Sequence, residues 1–317
     1  MHELVKREGR EYALANDVLS FLEADRCKIV YRISRKRNIQ GHAERADERA
    51  KGSSLFLLEY DRDHEYPSVI EYPNEPIYKS FSPLLSPDGN RILYNHTFRA
   101  TDIMILPIEG EPVKVAVGAN PHWVQDKDSG NMYIVYRNEN GKFQNIPQDG
   151  ITYRLQIDSN NQPVGEPEIV ATFGFGGGMS TNGQYLCTAY LLPVALDRKT
   201  GAISAPLGTV RSKPHNENQC CCPSIAPDDT GRMMLLRWPH VRISIMGWDG
   251  SEKRHYPLPE GGDEWQTPEW STHPDFFTGS IMNKDLIYDI VIARVKDEKY
   301  LQITKDGGYI HAHLWVG

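Results

Sequence analysis

The sequence is notable first for what it lacks. None of its 317 residues falls in an apolar run of about 18, so no membrane-spanning helix is expected. The segment "MHELVKREGREYALAND" has no apolar stretch of the kind a secretory leader needs. The expectation is a secreted or periplasmic protein if a leader was removed, and a cytoplasmic one otherwise. Basic excess is missing too: 35 Lys and Arg face 42 Asp and Glu, a net charge of −7. That balance argues against nucleic acid as a partner, but a local cleft can still attract an anionic ligand. Cysteines number only five, an odd count, and Cys27 and Cys187 sit inside apolar runs, which excludes a disulfide framework. Long helical periodicity is also absent. Short β-branched and aromatic runs, punctuated by Gly, Pro, Asn and Asp, read instead as strands and turns.

These strands recur as a repeat. "LLSPDGNRILYN" (84–95) matches "FLEADRCKIVYR" (21–32): an acidic turn, a polar residue, then an apolar strand. The block returns in "WVQDKDSGNMYIVYR", "GMSTNGQYLCTAY", "SIAPDDTGRMMLLRW" and "WSTHPDFFTGSIM". Its turn positions, Asp25, Asp88, Asp128, Asn182, Asp228 and Asp275, are 40 to 63 residues apart, the length of a four-stranded propeller blade with its loops. The pattern resembles the TolB-type β-propeller repeat, with its "P-x-W-S-P-D-G" turn, over nearly the whole chain. The expected fold is therefore an all-β propeller forming a single domain over residues 1–317. "HLWV" near the C-terminus resembles the inner strand "PHWV", and "GREYALAND" resembles the outer strand "EKYLQITKD". Seven blades are expected on that basis, the last shared by the two termini so that no edge stays open. A six-bladed ring with a C-terminal strand tail is the alternative. The segment 34–54, rich in charge, reads as a solvated loop.

"HNENQCCCPSIAP" (215–227) places three cysteines in a row. Neighbours rarely bridge, because adjacent Cα atoms are about 3.8 Å apart and disulfides want roughly 5.5–6 Å. Aligning the inner strands puts Cys222 level with Pro83, Pro121, Pro268 and His313. It puts Cys220 level with Phe81, Ala119, Gln266 and His311. Cys220 and Cys222 then share one face, since alternate strand residues point the same way. Together with His311 and His313 they form a candidate channel site for a divalent metal. Zinc suits the donors best, with manganese or calcium as alternatives. His215, Gln219 and Gln266 are candidate further ligands. The alternative is that the cysteines are channel-filling thiols. "GFGGGMS" (174–180) keeps side chains small at that level, which suggests close backbone approach.

A second polar set stands where strands meet loops: His96, His122, Tyr190 and Arg211. An imidazole or phenol base, a proton donor and an arginine neutralising a carboxylate suit proton abstraction α to that carboxylate. Their order resembles the propeller-fold polysaccharide lyases, the oligogalacturonate and ulvan lyases, and "HAH" (311–313) matches a metal-holding His-x-His of the first kind. That resemblance implies β-elimination on an acidic poly- or oligosaccharide; a monomer is expected, and charge and hydropathy give no nucleic acid or membrane partner. The other reading is a non-catalytic TolB-like propeller that binds a protein or ligand.

Overall fold

β-Branched and aromatic runs flanked by turn formers have little choice but to pair as strands, and strands account for nearly every described segment. The computed structural model describes residues 4–7, 10–34, 53–72, 83–96, 102–138, 150–190, 192–205, 220–284, 287–305 and 309–317. The first elements are β1 (Leu4–Arg7), β2 (Arg10–Ala13) and the helix α1 (Ala15–Leu22). Then come β3 (Arg26–Ser34), β4 (Ser53–Asp61) and β5 (Ser68–Tyr72). They are followed by β6 (Leu84–Leu85), β7 (Arg91–Asn95), β8 (Asp102–Pro107) and β9 (Val113–Val117). The next set is β10 (Ala119–Gln125), β11 (Met132–Asn138), β12 (Ile151–Ile157) and β13 (Pro163–Ala171). A shorter set is β14 (Tyr185–Tyr190), β15 (Leu192–Asp197) and β16 (Ala202–Ser204). After it stand β17 (Cys220–Ile225), β18 (Met233–Arg237), β19 (Arg242–Met246) and β20 (Arg254–Pro257). The last full set is β21 (Glu264–Trp270), β22 (Phe276–Met282), β23 (Tyr288–Arg294) and β24 (Lys299–Gln302). Two strands close the count, β25 (Thr304–Lys305) and β26 (Tyr309–Val316).

Each set folds as a meander, and the C-terminal strand joins the first, in the order β26-β3-β4-β5. That makes six blades of an all-β propeller, the six-bladed alternative rather than the seven expected. The repeated inner strand at the C-terminus is real, but its partner is β3 in the first blade. The "GREYALAND" segment does not seed a seventh blade. Its strand β2 pairs with β1 and β25 in a separate three-stranded sheet, and the chain then turns into α1.

The chain divides into two compact units, residues 1–89 with 258–317, and residues 90–257. In the first, α1 buries Ala15, Val18, Leu19 and Leu22, a 3–4 spacing that makes one apolar stripe. The stripe enters a core with Tyr12, Ile29, Phe276, Ile292, Leu301 and Leu314. Glu23 ends the helix in a left-handed conformation, φ 56°, as its N–H and that of Ala24 donate back to Ser20 and Leu19 carbonyls. In the second unit, β7 and β18 are buried at every position, so they read as continuous apolar runs instead of alternating ones. The outer strand β13 is exposed and carries Pro163, Glu166, Pro167 and Glu168, residues that discourage edge pairing.

The β14–β16 blade has no regular inner strand. Residues 174–180 approach it through a single bridge, Met179 to Leu186. Gly177 makes this possible: its N–H donates to the Cys187 carbonyl at 2.9 Å, and its own carbonyl accepts from Ile225 N–H at 3.0 Å. A Cβ there would lie 2.6 Å from Cys187 Sγ and 2.9 Å from both Cys187 O and Pro223 Cβ. The close approach expected of the glycine run is thus observed, between two blades. Gly177→Ala should therefore overpack the contact and cost about 1–3 kcal/mol. Chemical denaturation of the variant should show a lower midpoint with an unchanged slope.

Candidate functional site

The innermost strand of a blade is an edge strand, where a bulge or proline is tolerated and strand addition is discouraged. Four innermost strands show the same device. Register shifts fall between Ala119 and His122, Cys221 and Ser224, Gln266 and Glu269, and Ile310 and His313. At each bulge one residue is left-handed: Asn120 (φ 51°), Cys222 (φ 49°), Thr267 (φ 42°) and His311 (φ 55°). Pro121, Pro223, Pro268 and Ala312 come next. Left-handed backbone costs a non-glycine residue about 1–3 kcal/mol, and it is most adverse for a β-branched one such as Thr267.

The bulges correct the alignment made from the sequence. Cys222 is equivalent to His311, not His313, and Gln266 is equivalent to Ile310, not His311. Each bulge adds one residue, and a one-residue slip moves side chains to the other face. Cys220 and Cys222 therefore do not share a face as a two-thiol arm. Cys220 is buried among Cys187, Ala195, Met233, Leu235 and Met246. Burial pushes its thiol up to about 12, with Arg237 opposing and Cys222 adding to the shift. Such a thiol stays protonated at neutral pH. Cys221 Sγ lies 3.4 Å from His240 Nε2, and the Cys222 thiol donates to Cys221 Sγ at 3.7 Å. Among the described residues, no group of three or more His, Cys, Asp or Glu side chains is placed to hold a metal ion. His215, Gln219 and Arg211 lie outside the described residues.

The other candidates fall as follows. His313 Nδ1 accepts from Leu85 N–H at 3.0 Å, a bond that fixes the ring against β6. Gln266 Nε2 donates to Glu264. His96 closes the β7–β8 hairpin, its N–H donating to Asp102 O at 3.0 Å. His122 sits on β10 with Nδ1 3.1 Å from the Asn120 carbonyl. Tyr190 ends β14 opposite Leu192. His96, His122 and Tyr190 thus belong to three successive blades.

The residues that sequence reasoning missed are Asn120 and Thr267. Asn120 Nδ2 donates to Gly176 O at 3.4 Å, but its Oδ1 is buried with no partner among the described residues. The same holds for Thr267 Oγ1 and for His311 Nδ1. The signal was available in the recurring polar residue before proline, in "NP", "CP" and "TP". His311 is 6% exposed. Burial, and then the Arg32 guanidinium, hold its imidazole well below the usual histidine range.

This architecture is a TolB-type β-propeller fold. Among solved structures, TolB from Acinetobacter baumannii is similar with a TM-score of 0.58 and 14% identity, over 94% of this chain and 69% of that one. A TolB candidate from Agrobacterium tumefaciens has a TM-score of 0.50 and 16% identity, over 93% and 99%. A chain of a nidogen–laminin complex has 0.53 and 7%, over 92% and 98%. No protein-family model matches the sequence, and no curated protein matches it. No helix among the described residues is long and apolar enough to cross a membrane.

Two outcomes follow from the bulges. Thr267→Asn keeps a polar side chain while easing the left-handed backbone, so its thermal midpoint should rise, by about 1 kcal/mol of stability. For His311, the folded value lies below the unfolded one of about 6.5. Above that pH both states are neutral and the residue contributes no pH dependence. As pH falls below it, the unfolded chain takes up a proton that the folded chain refuses, so stability falls. Denaturation midpoints of His311→Asn should decline less than those of the parent as pH drops below about 6.5.

Proposed function

We propose that this chain is a non-catalytic TolB-like propeller that binds a peptide or protein segment at the innermost strands of its blades. The observation that carries the reading is the polar, left-handed bulge. Asn120, Thr267 and His311 occupy equivalent positions, and each holds a buried polar atom with no partner among the described residues. A buried unsatisfied donor or acceptor costs about 1–3 kcal/mol, on top of the backbone strain. A ligand that supplies the missing partners would relieve that cost. Prolines and bulges on these edges disfavour added strands, so recognition falls to polar side chains, which suit the amide groups of a peptide. One propeller of the same fold comes from a nidogen–laminin complex, a protein–protein assembly.

The non-catalytic reading is favoured over β-elimination by where the candidate groups stand. His122 is turned to its own strand's carbonyl, and His96 closes a hairpin. Nothing in the neighbouring folds points to a lyase.

The test pans a phage-displayed random peptide library on the full chain and measures the enriched peptides by fluorescence anisotropy. Asn120→Gly, Thr267→Gly and His311→Gly keep the left-handed backbone but remove the polar atoms. At least one should weaken binding about tenfold, equivalent to about 1.4 kcal/mol. The reading fails if no peptide is enriched, or if ulvan or polygalacturonate gains the ultraviolet absorbance of an unsaturated uronate and His122→Ala abolishes that gain.

A further inference from the structure

Five cysteines occupy two kinds of environment. Cys27, Cys187 and Cys220 are buried. Burial pushes the Cys27 thiol far above its ordinary value, and Cys220 rises to about 12. Cys221 and Cys222 are partly exposed. Their sulfurs lie 3.7 Å apart, close to contact, and His240 Nε2 is 3.4 Å from Cys221 Sγ. The imidazole is itself held in place. His240 is left-handed at φ 73°, its N–H donates to Arg237 O at 2.6 Å, and Trp238 meets its ring edge-on at 5.4 Å. A thiol, an imidazole within reach of its proton and a second thiol beside the sulfur make up a nucleophile, a base and a resolving group.

We propose that Cys221 is a reactive thiol, with His240 as the acceptor of its proton and Cys222 as its resolving partner. The co-reactant is a hydroperoxide. Imidazole takes the Cys221 proton, and the sulfur attacks the distal oxygen. An S–O bond forms and the O–O bond breaks. Sulfur is oxidised to the sulfenic acid, while the peroxide leaves as alcohol or water carrying the proton. The Cys222 sulfur then attacks Cys221 Sγ. The S–S bond forms, the S–O bond breaks, and hydroxide departs as water with the Cys222 proton. Adjacent Cα atoms at about 3.8 Å are closer than disulfides prefer, so the product is strained. Strained disulfides are readily reduced, which makes this modification reversible.

The full-length protein, treated with limiting iodoacetamide and analysed by peptide mass spectrometry, should label Cys221 ahead of Cys27, Cys187 and Cys220. His240→Asn, a residue that tolerates left-handed backbone, should slow that labelling about tenfold or more at neutral pH. With hydrogen peroxide and dimedone, Cys222→Ser should accumulate the adduct on Cys221. The parent should instead lose a pair of hydrogens across 221–222 and recover them with dithiothreitol. The proposal is overturned if Cys221 labels no sooner than the buried thiols or at an unchanged rate in His240→Asn. It is equally overturned if the parent and Cys222→Ser accumulate equal dimedone adduct, or if peroxide leaves Cys221 reduced.

Discussion

The pairing of β26 with β3 is the interaction on which the first unit depends. Without the C-terminal strand, β3 would carry an unpaired backbone edge along the first blade, and edges of that length invite association. The register runs from Tyr309 opposite Ile33 to Val316 opposite Cys27, interrupted by the bulge. Side contacts lock it in place. Thr278 Oγ1 donates to Ala312 O at 2.6 Å, Thr272 N–H to Leu314 O at 2.9 Å, and Trp315 Nε1–H to Pro87 O at 2.9 Å. The Trp315 ring lies over Gly89, whose left-handed turn (φ 70°) brings any added Cβ within 2.5 Å of the ring. A strand from one end of the chain thus fastens a turn, a neighbouring blade and a partner from the other end. Contacts so distant in sequence require a long loop to be closed, an entropic cost that pairing within a meander avoids.

A meander that places one strand of every blade innermost creates a second constraint. Four of those strands are interrupted by a bulge, and in three of the four a proline follows the bulged residue. An interruption of this kind takes the residue before the proline out of the regular ladder. At Asn120 and Thr267 that residue is polar, as is His311 ahead of Ala312, so the device that blunts the edge also presents hydrogen-bonding atoms. Edge interruption and the display of polar atoms are therefore two results of one backbone irregularity, repeated on four innermost strands.

Much of the scaffold was legible because it rests on composition and periodicity. The recurring acidic turn is built as the motif implies: Asn182 Oδ1 accepts from Gln184 N–H at 3.0 Å, and Asp228 Oδ1 from Thr230 N–H at 2.9 Å. The inner strand at the C-terminus was equally visible in "HLWV". The blade count was not, because "GREYALAND" matches an outer strand in composition, while its fate was decided by the apolar stripe of the helix just after it. Register within the inner strands was hidden for another reason. A bulge leaves no obligatory residue, and aligning Cys222 and His313 with the prolines, where Pro223 and Ala312 belong, misplaced each by one position.

The cysteine triplet shows what that one position is worth. With strict alternation, Cys220 and Cys222 would face the same way and Cys221 would be the odd one. The bulge at Cys222 breaks the alternation, so the first thiol joins the apolar core while the second and third come together beside His240. The chemistry open to the triplet changes accordingly. A buried, protonated thiol contributes packing, whereas two neighbouring thiols beside an imidazole can exchange protons and electrons. Side-chain identity supplied the reactive atoms, but a single left-handed residue decided which of them meet.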